Sequence, residues 1–190
     1  MGDYKMMKKK REYLTNLKVK SQKYYDSVTA ENQKADDSDV RYSPRDSYSS
    51  EKIAKAMKSS SSTGRDKLDA ISEYSDSPFV EAMLDIIAEK GVKDSKIYKS
   101  AHVDRRLFSK IVSDPGYRPS KDTCIALALA LQLGYIDAVR LLARAGYVLS
   151  HSIKRDIIIE FFFKEGIYNI DEINVVLSEL GQKPLGREMS

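Results

Sequence analysis

Aliphatic residues concentrate after Ser77, where they recur at helical spacing and are cut into segments by glycines. That feature restricts the chain to an all-α fold, because strands would need apolar and polar residues to alternate. Ser77 and Pro78 open the first segment, the serine as a cap and the proline at the first helical position. Phe79, Val80, Met83, Leu84 and Ile87 form its apolar face, and Gly91 supplies a left-handed stop. Residues 121–133 are apolar almost all round, as a central buried helix is, and Gly134 ends them. Residues 136–145 follow, with Val139, Leu142 and Ala145 inward and Gly146 as the stop. Two more helices complete the set. One starts at Ser150 or Ser152 and carries Ile153, Ile157, Ile158, Phe161 and Phe162. The other starts at Asn169, with Glu172 three residues on, and carries Ile173, Val176, Leu177 and Leu180 as far as Gly181. The expected architecture is a compact multi-helix bundle over residues 78–184.

The first part of the chain reads differently. Over residues 1–34, Met7, Leu14, Leu17, Tyr24 and Val28 make a thin apolar stripe on a Lys-rich helix. A stripe that thin cannot hold an isolated helix firmly, so it needs a partner or stays partly frayed, and a flexible basic N-terminal arm is expected. Its run Lys8-Lys9-Lys10-Arg11 reads as solvated charge in preference to a phosphate contact. Residues 35–77 form a linker rich in Ser and Asp, too polar to repay the entropy of ordering, with short helical pieces at 51–58 and 64–73. The lone cysteine, Cys124, allows no intrachain disulfide and reads as an inert core thiol. No apolar run is long enough to cross a bilayer and the charged start is not followed by an apolar leader, so a cytoplasmic chain without membrane contact is expected.

Charge singles out one stretch. From Gly91 to Asp122 there are eight Lys or Arg against four Asp or Glu, whereas from Thr123 to the end there are seven against eight. The basic surplus sits on Val92 to Ile111, VKDSKIYKSAHVDRRLFSKI. Asp94 can cap one short helix there and Asp104 a second. Ile97, Ala101, Val103, Phe108 and Ile111 are spaced to meet on a buried side, and Lys96, Lys99, Arg105, Arg106 and Lys110 are left to water. This is a helix-turn-helix pattern, with residues 104–113 as the recognition helix.

These residues resemble the lambda-repressor-like (XRE/Cro) helix-turn-helix family, most closely a subgroup found in bacterial accessory proteins. The similarity covers residues 79–146 and includes Pro119-Ser120 before an apolar fourth helix. It departs from the family at Tyr98, where a small Ala is usual, and at His102, where the turn Gly is usual. The resemblance implies double-stranded DNA as partner and a role in transcription of an accessory or mobile element. Arg105, Arg106 and Ser109, early on the recognition helix, would then face base edges. Lys96, Lys99, Lys110 and Arg118 would contact phosphate, with Ser120 as a further phosphate contact or simply a helix cap.

Other chemistry finds little footing. His102 and His151 are isolated, there is no phosphate-loop motif, and the four clustered ligands of a zinc site are missing, so a non-enzyme without cofactor or metal is expected. Ile159, Phe162 and Phe163 exceed what one inward face can use, which reads as a thickened core in preference to a subunit or partner interface; if they form an interface, it is a homodimer through the C-terminal helices. The rival reading is a protein-interaction or adaptor module that keeps the helix-turn-helix shape without DNA, its partner docking on the C-terminal helices or the N-terminal arm. Tyr98, His102 and the Phe161-Phe162-Phe163 run favour it.

Overall fold

The computed structural model describes residues 2–37, 78–114 and 116–186, with side chains from residue 6 to residue 33 in the first stretch. The helical pieces expected at 51–58 and 64–73, and the capping role expected of Ser77, lie outside the described residues. Among the described residues there are eight α-helices and no strand: α1 (Gly2–Asp37), α2 (Phe79–Lys90), α3 (Asp94–Ser100), α4 (Arg105–Ser113), α5 (Lys121–Ala130), α6 (Tyr135–Arg144), α7 (Lys154–Glu165) and α8 (Ile170–Glu179). None of the described helices is long and apolar enough to cross a membrane.

The core forms where apolar faces run out of alternatives. Cys124 to Leu129 are all fully buried, so α5 is the central rod that its all-round apolar sequence calls for. α3 and α6 pack on it, α2 and α7 pack on α6, and α8 packs on α7. Burial pushes the Cys124 thiol up to about 12, which leaves it protonated and inert.

Helix ends follow local chemistry, with four corrections: Pro78 stands at the cap of α2 and not in its first turn, Ile153 and neither Ser150 nor Ser152 holds the cap of α7, and Gly134 and Asp94 differ as described next. Gly91 and Gly146 take left-handed backbone at φ 60° and 74°, as a helix stop requires. Gly134 does not act as a stop: its φ is −63°, and it stands at the start of α6. The left-handed position after α5 belongs to Gln132 at φ 52°, so that the next residue, Leu133, turns back into the core with its N–H on the Ala128 carbonyl. Asp94 is likewise not a cap; Lys93 holds that position, without a side-chain bond, and Asp94 sits in the first turn, where its charge suits the helix dipole.

From Leu14 to Glu31 the N-terminal segment is not a flexible arm. Leu17, Ser21 and Val28 are buried, with Leu14 and Tyr24 half-buried between them, so the positions facing the bundle alternate in steps of three and four. The Tyr24 ring lies 5.8 Å from Phe161 on α7, and Lys18 pairs with Glu179 of α8 at 3.5 Å. The stripe is thin, as its sequence implies, yet it suffices because a partner face is waiting for it. Through Glu31, α1 belongs to the same compact unit as the bundle.

That packing also decides between core and interface for the surplus on α7. Ile159, Phe162 and Phe163 are at most 2% exposed, and every residue from Asp156 to Phe163 is buried. With α6, α8 and α1 all against it, α7 has no apolar side left over for a second subunit. Its surplus of Ile and Phe is core.

Candidate nucleic-acid interface

α3 and α4 are joined by a four-residue turn, and their inward residues are the expected ones. Ile97, Ala101, Val103, Phe108 and Ile111 are all buried. Asp104 begins α4 by accepting the Arg106 N–H at 2.7 Å, so the first turn of α4 points into solvent with its orphan donors partly satisfied. The turn closes in a tight hydrogen-bonded form: His102 N–H donates to Lys99 O and Val103 N–H to Tyr98 O. This needs left-handed backbone at His102, φ 53°, the position usually given to Gly. His102 accepts that strain and places its Nε2 3.6 Å from Asp171 at the start of α8. Tyr98 packs its ring 5.7 Å from Phe108 and fills space between α3 and α4.

Lys93, before α3, Lys96 and Lys99 on it, and Arg105, Arg106, Ser109 and Lys110 on α4 are all exposed. Lys110 is the least free of these, its Nζ standing 4.5 Å above the Tyr117 ring. The remaining two candidate phosphate contacts have other work. Arg118 sends Nε and Nη2 to the Ala145 carbonyl at 3.2 and 2.9 Å and lies over the Tyr147 ring, so its fork closes the end of α6. Ser120 caps α5, accepting from the Thr123 N–H at 3.2 Å and sharing a hydrogen bond with the Thr123 hydroxyl. Neither is free to be a dedicated phosphate ligand: Arg118 serves the fold through a carbonyl 27 residues away, and Ser120 does so through its own helix.

Two buried carboxylates escaped the sequence reading. Asp156 accepts from Lys121 Nζ at 2.5 Å and from the Ser150 N–H at 2.8 Å. Glu160 is 1% exposed and receives Tyr24 Oη–H at 2.6 Å and Lys164 Nζ at 2.7 Å, with His151 Nε2 2.7 Å from its other oxygen. Burial alone would raise the Glu160 pKa; the hydrogen bonds from Lys164, Tyr24 and His151 outweigh it and hold the carboxyl below its usual value. Lys164 answers in the opposite direction: desolvation lowers it, but its bonds to Glu160 and Tyr24 carry it well above the ordinary lysine value. A signal was present, since Glu160 interrupts Ile157-Ile158-Ile159 and Phe161-Phe162-Phe163, and an acid inside so apolar a run must share its burial. Among the described residues no group of three or more His, Cys, Asp or Glu is placed to hold a metal ion.

Comparison with known protein families, with characterised proteins and with solved structures finds no match for this chain.

Proposed function

We propose that the α3–α4 face is a helix-turn-helix of the lambda-repressor-like kind that binds double-stranded DNA and regulates transcription. The observation carrying this reading is the division of α4 into two sides, Phe108 and Ile111 buried, Arg105, Arg106 and Ser109 exposed at its capped start. Residues at the start of such a helix reach base edges in the major groove, with arginine suited to guanine. Lys96 and Lys99, on the preceding helix, suit phosphate, which fixes orientation without reading sequence. The surrounding surplus of cations supports the same partner.

A duplex selected by the chain from a random pool provides the test, compared with a scrambled duplex of equal length. Arg106→Ala should cost about 1–3 kcal/mol at one base position and reduce discrimination. Lys99→Ala should weaken selected and scrambled duplexes alike. If both variants bind as the parent does, this face does not bind DNA.

The second reading, an adaptor, has one observation in its favour. A groove of about 570 Å³ lies between α2 and α6, lined by Asp85, Ile86 and Glu89 on one side and Asp137, Arg140 and Leu141 on the other. Its mixed charge suits a protein segment more than a nucleic acid. Failure to select any duplex from the pool would favour this reading.

A further inference from the structure

Among the described side chains the sheltered side of α1 begins at Leu14, although the helix begins at Gly2. The preceding twelve or so residues overhang by about 18 Å at 1.5 Å per residue. The inward stripe does not stop where the bundle does: continued in steps of three and four, it passes through Lys10 and Met7, and Met6 and Met7 are 68% and 72% exposed. Around them Lys8, Lys9, Lys10 and Arg11 are all exposed, and no ion pair holds any of the four among the described residues. Four consecutive residues at about 100° apiece distribute charge around most of the helix. From Met6 to Lys23 seven cations face one acid, Glu12. Glu179 of α8, itself paired with Lys18, lines a hollow with Met7, Lys10 and Arg11; these exposed residues otherwise gain little from burial, so a ring of like charge there is suited to a polyanion that would neutralise it.

The overhang also starts in a particular place. Tyr13, the last residue before the packed stripe, lies near enough to Glu172 in the first turn of α8 to feel its charge. The neighbouring Asp171 is the residue that meets His102 in the α3–α4 turn, at 3.6 Å. The base of the overhang and the turn that sets α4 thus both lie by one turn of α8, where Asp171 meets His102 and Glu172 lies near Tyr13.

We infer that the α1 overhang is a second phosphate-binding surface, one that holds the backbone of the duplex through Lys8, Lys9, Lys10 and Arg11 without reading its sequence. This rests on the duplex-binding reading of α3–α4 and adds to it a source of affinity located in a different element. Its ligand is the phosphodiester chain, for which closely spaced lysines and an arginine on a helix are suited by charge.

The test uses the full chain and its selected duplex, titrated between about 50 and 200 mM salt. The combined variant Lys8→Ala, Lys9→Ala, Lys10→Ala, Arg11→Ala changes exposed positions to a good helix former, and circular dichroism checks that its helix content matches the parent. Each phosphate contact contributes about 0.9 to the slope of log affinity on log salt, so the slope should fall by roughly 3 to 4 with the selected-to-scrambled ratio unchanged. A second variant, Lys96→Ala with Lys99→Ala, separates the two surfaces. If the overhang variant keeps the parent slope while the second variant loses affinity, the inference is overturned and the α3–α4 reading stands. If the overhang variant loses slope while the second variant binds as the parent does, the overhang stands as a phosphate surface and the α3–α4 face loses its assignment. A parent that ignores duplex DNA overturns both. A parent that prefers vesicles of acidic phospholipid, through the same four residues, overturns the inference in favour of a membrane surface.

Discussion

Arg118 and Gly146 are bound together by one close approach. A methyl group added at residue 146 would run into Arg118 Nη2, and the backbone there is left-handed at φ 74°. Gly146→Ala therefore meets two costs, the steric penalty of left-handed backbone and displacement of a guanidinium from the Ala145 carbonyl. The variant should lose about 2 kcal/mol, read as a lowered midpoint in urea with the slope unchanged. Alanine at Gly134, whose φ is negative and whose surroundings are open, should cost distinctly less in the same assay. At this scale the sequence was legible wherever a side chain acts on its own helix, as Asp104 and Asn169 do as caps. Arg118 was not legible, because its basic side chain suits a phosphate and a helix-end carbonyl equally, and only the neighbour decides.

α1 carries the lesson of the element. Its apolar positions recur every three or four residues, which marks the side to be covered but not what covers it. The cover is α7 and α8, more than a hundred residues away along the chain: Tyr24 bonds to Glu160 across 136 positions. A chain starting at Ser75 should accordingly be less stable than the full one. Loss of Leu17 and Val28 burial removes about 1.5–3 kcal/mol apiece at most, and Phe161 and Glu160 become open to water. Tyr24→Phe in the full chain isolates the polar part, removing one hydrogen bond to a buried carboxylate for about 1–3 kcal/mol. Urea unfolding of the three chains should rank them parent, Tyr24→Phe, truncation; equal midpoints for parent and truncation would mean that α1 contributes nothing to the fold.

For the whole molecule the decisive group is Glu160, which gathers Tyr24 from α1, His151 from the loop before α7 and Lys164 from α7, with Tyr135 of α6 near enough to feel its charge. Its carboxyl is held below the ordinary value near 4.5, so its contribution to stability is present above that pH and is lost as pH falls through the lower folded value. Lys164 is raised, so its contribution holds below its ordinary value of 10.5 and fades only as pH rises through the folded one. Stability should be flat near neutrality and fall on the acid side. Glu160→Gln should lower the neutral plateau by about 1–3 kcal/mol and flatten the acid limb, checked by urea midpoints between roughly pH 3 and 8. An acid limb as steep as the parent's would place the titrating group elsewhere.

The amino-acid sequence by itself determined that the chain is helical, where α4 and α8 begin, which face of α3–α4 is buried and which is basic, and that α5 is central. Each of these follows from local periodicity or from a side chain bonding within its own turn. Only the tertiary structure decided that α1 is part of the bundle, that Ile159, Phe162 and Phe163 are core, and that Arg118 is tied to α6. It also buried Asp156 and Glu160 with their partners. The reason is physical: spacing along a helix tells which side avoids water, but whether that side finds a neighbour depends on residues brought there from far along the chain.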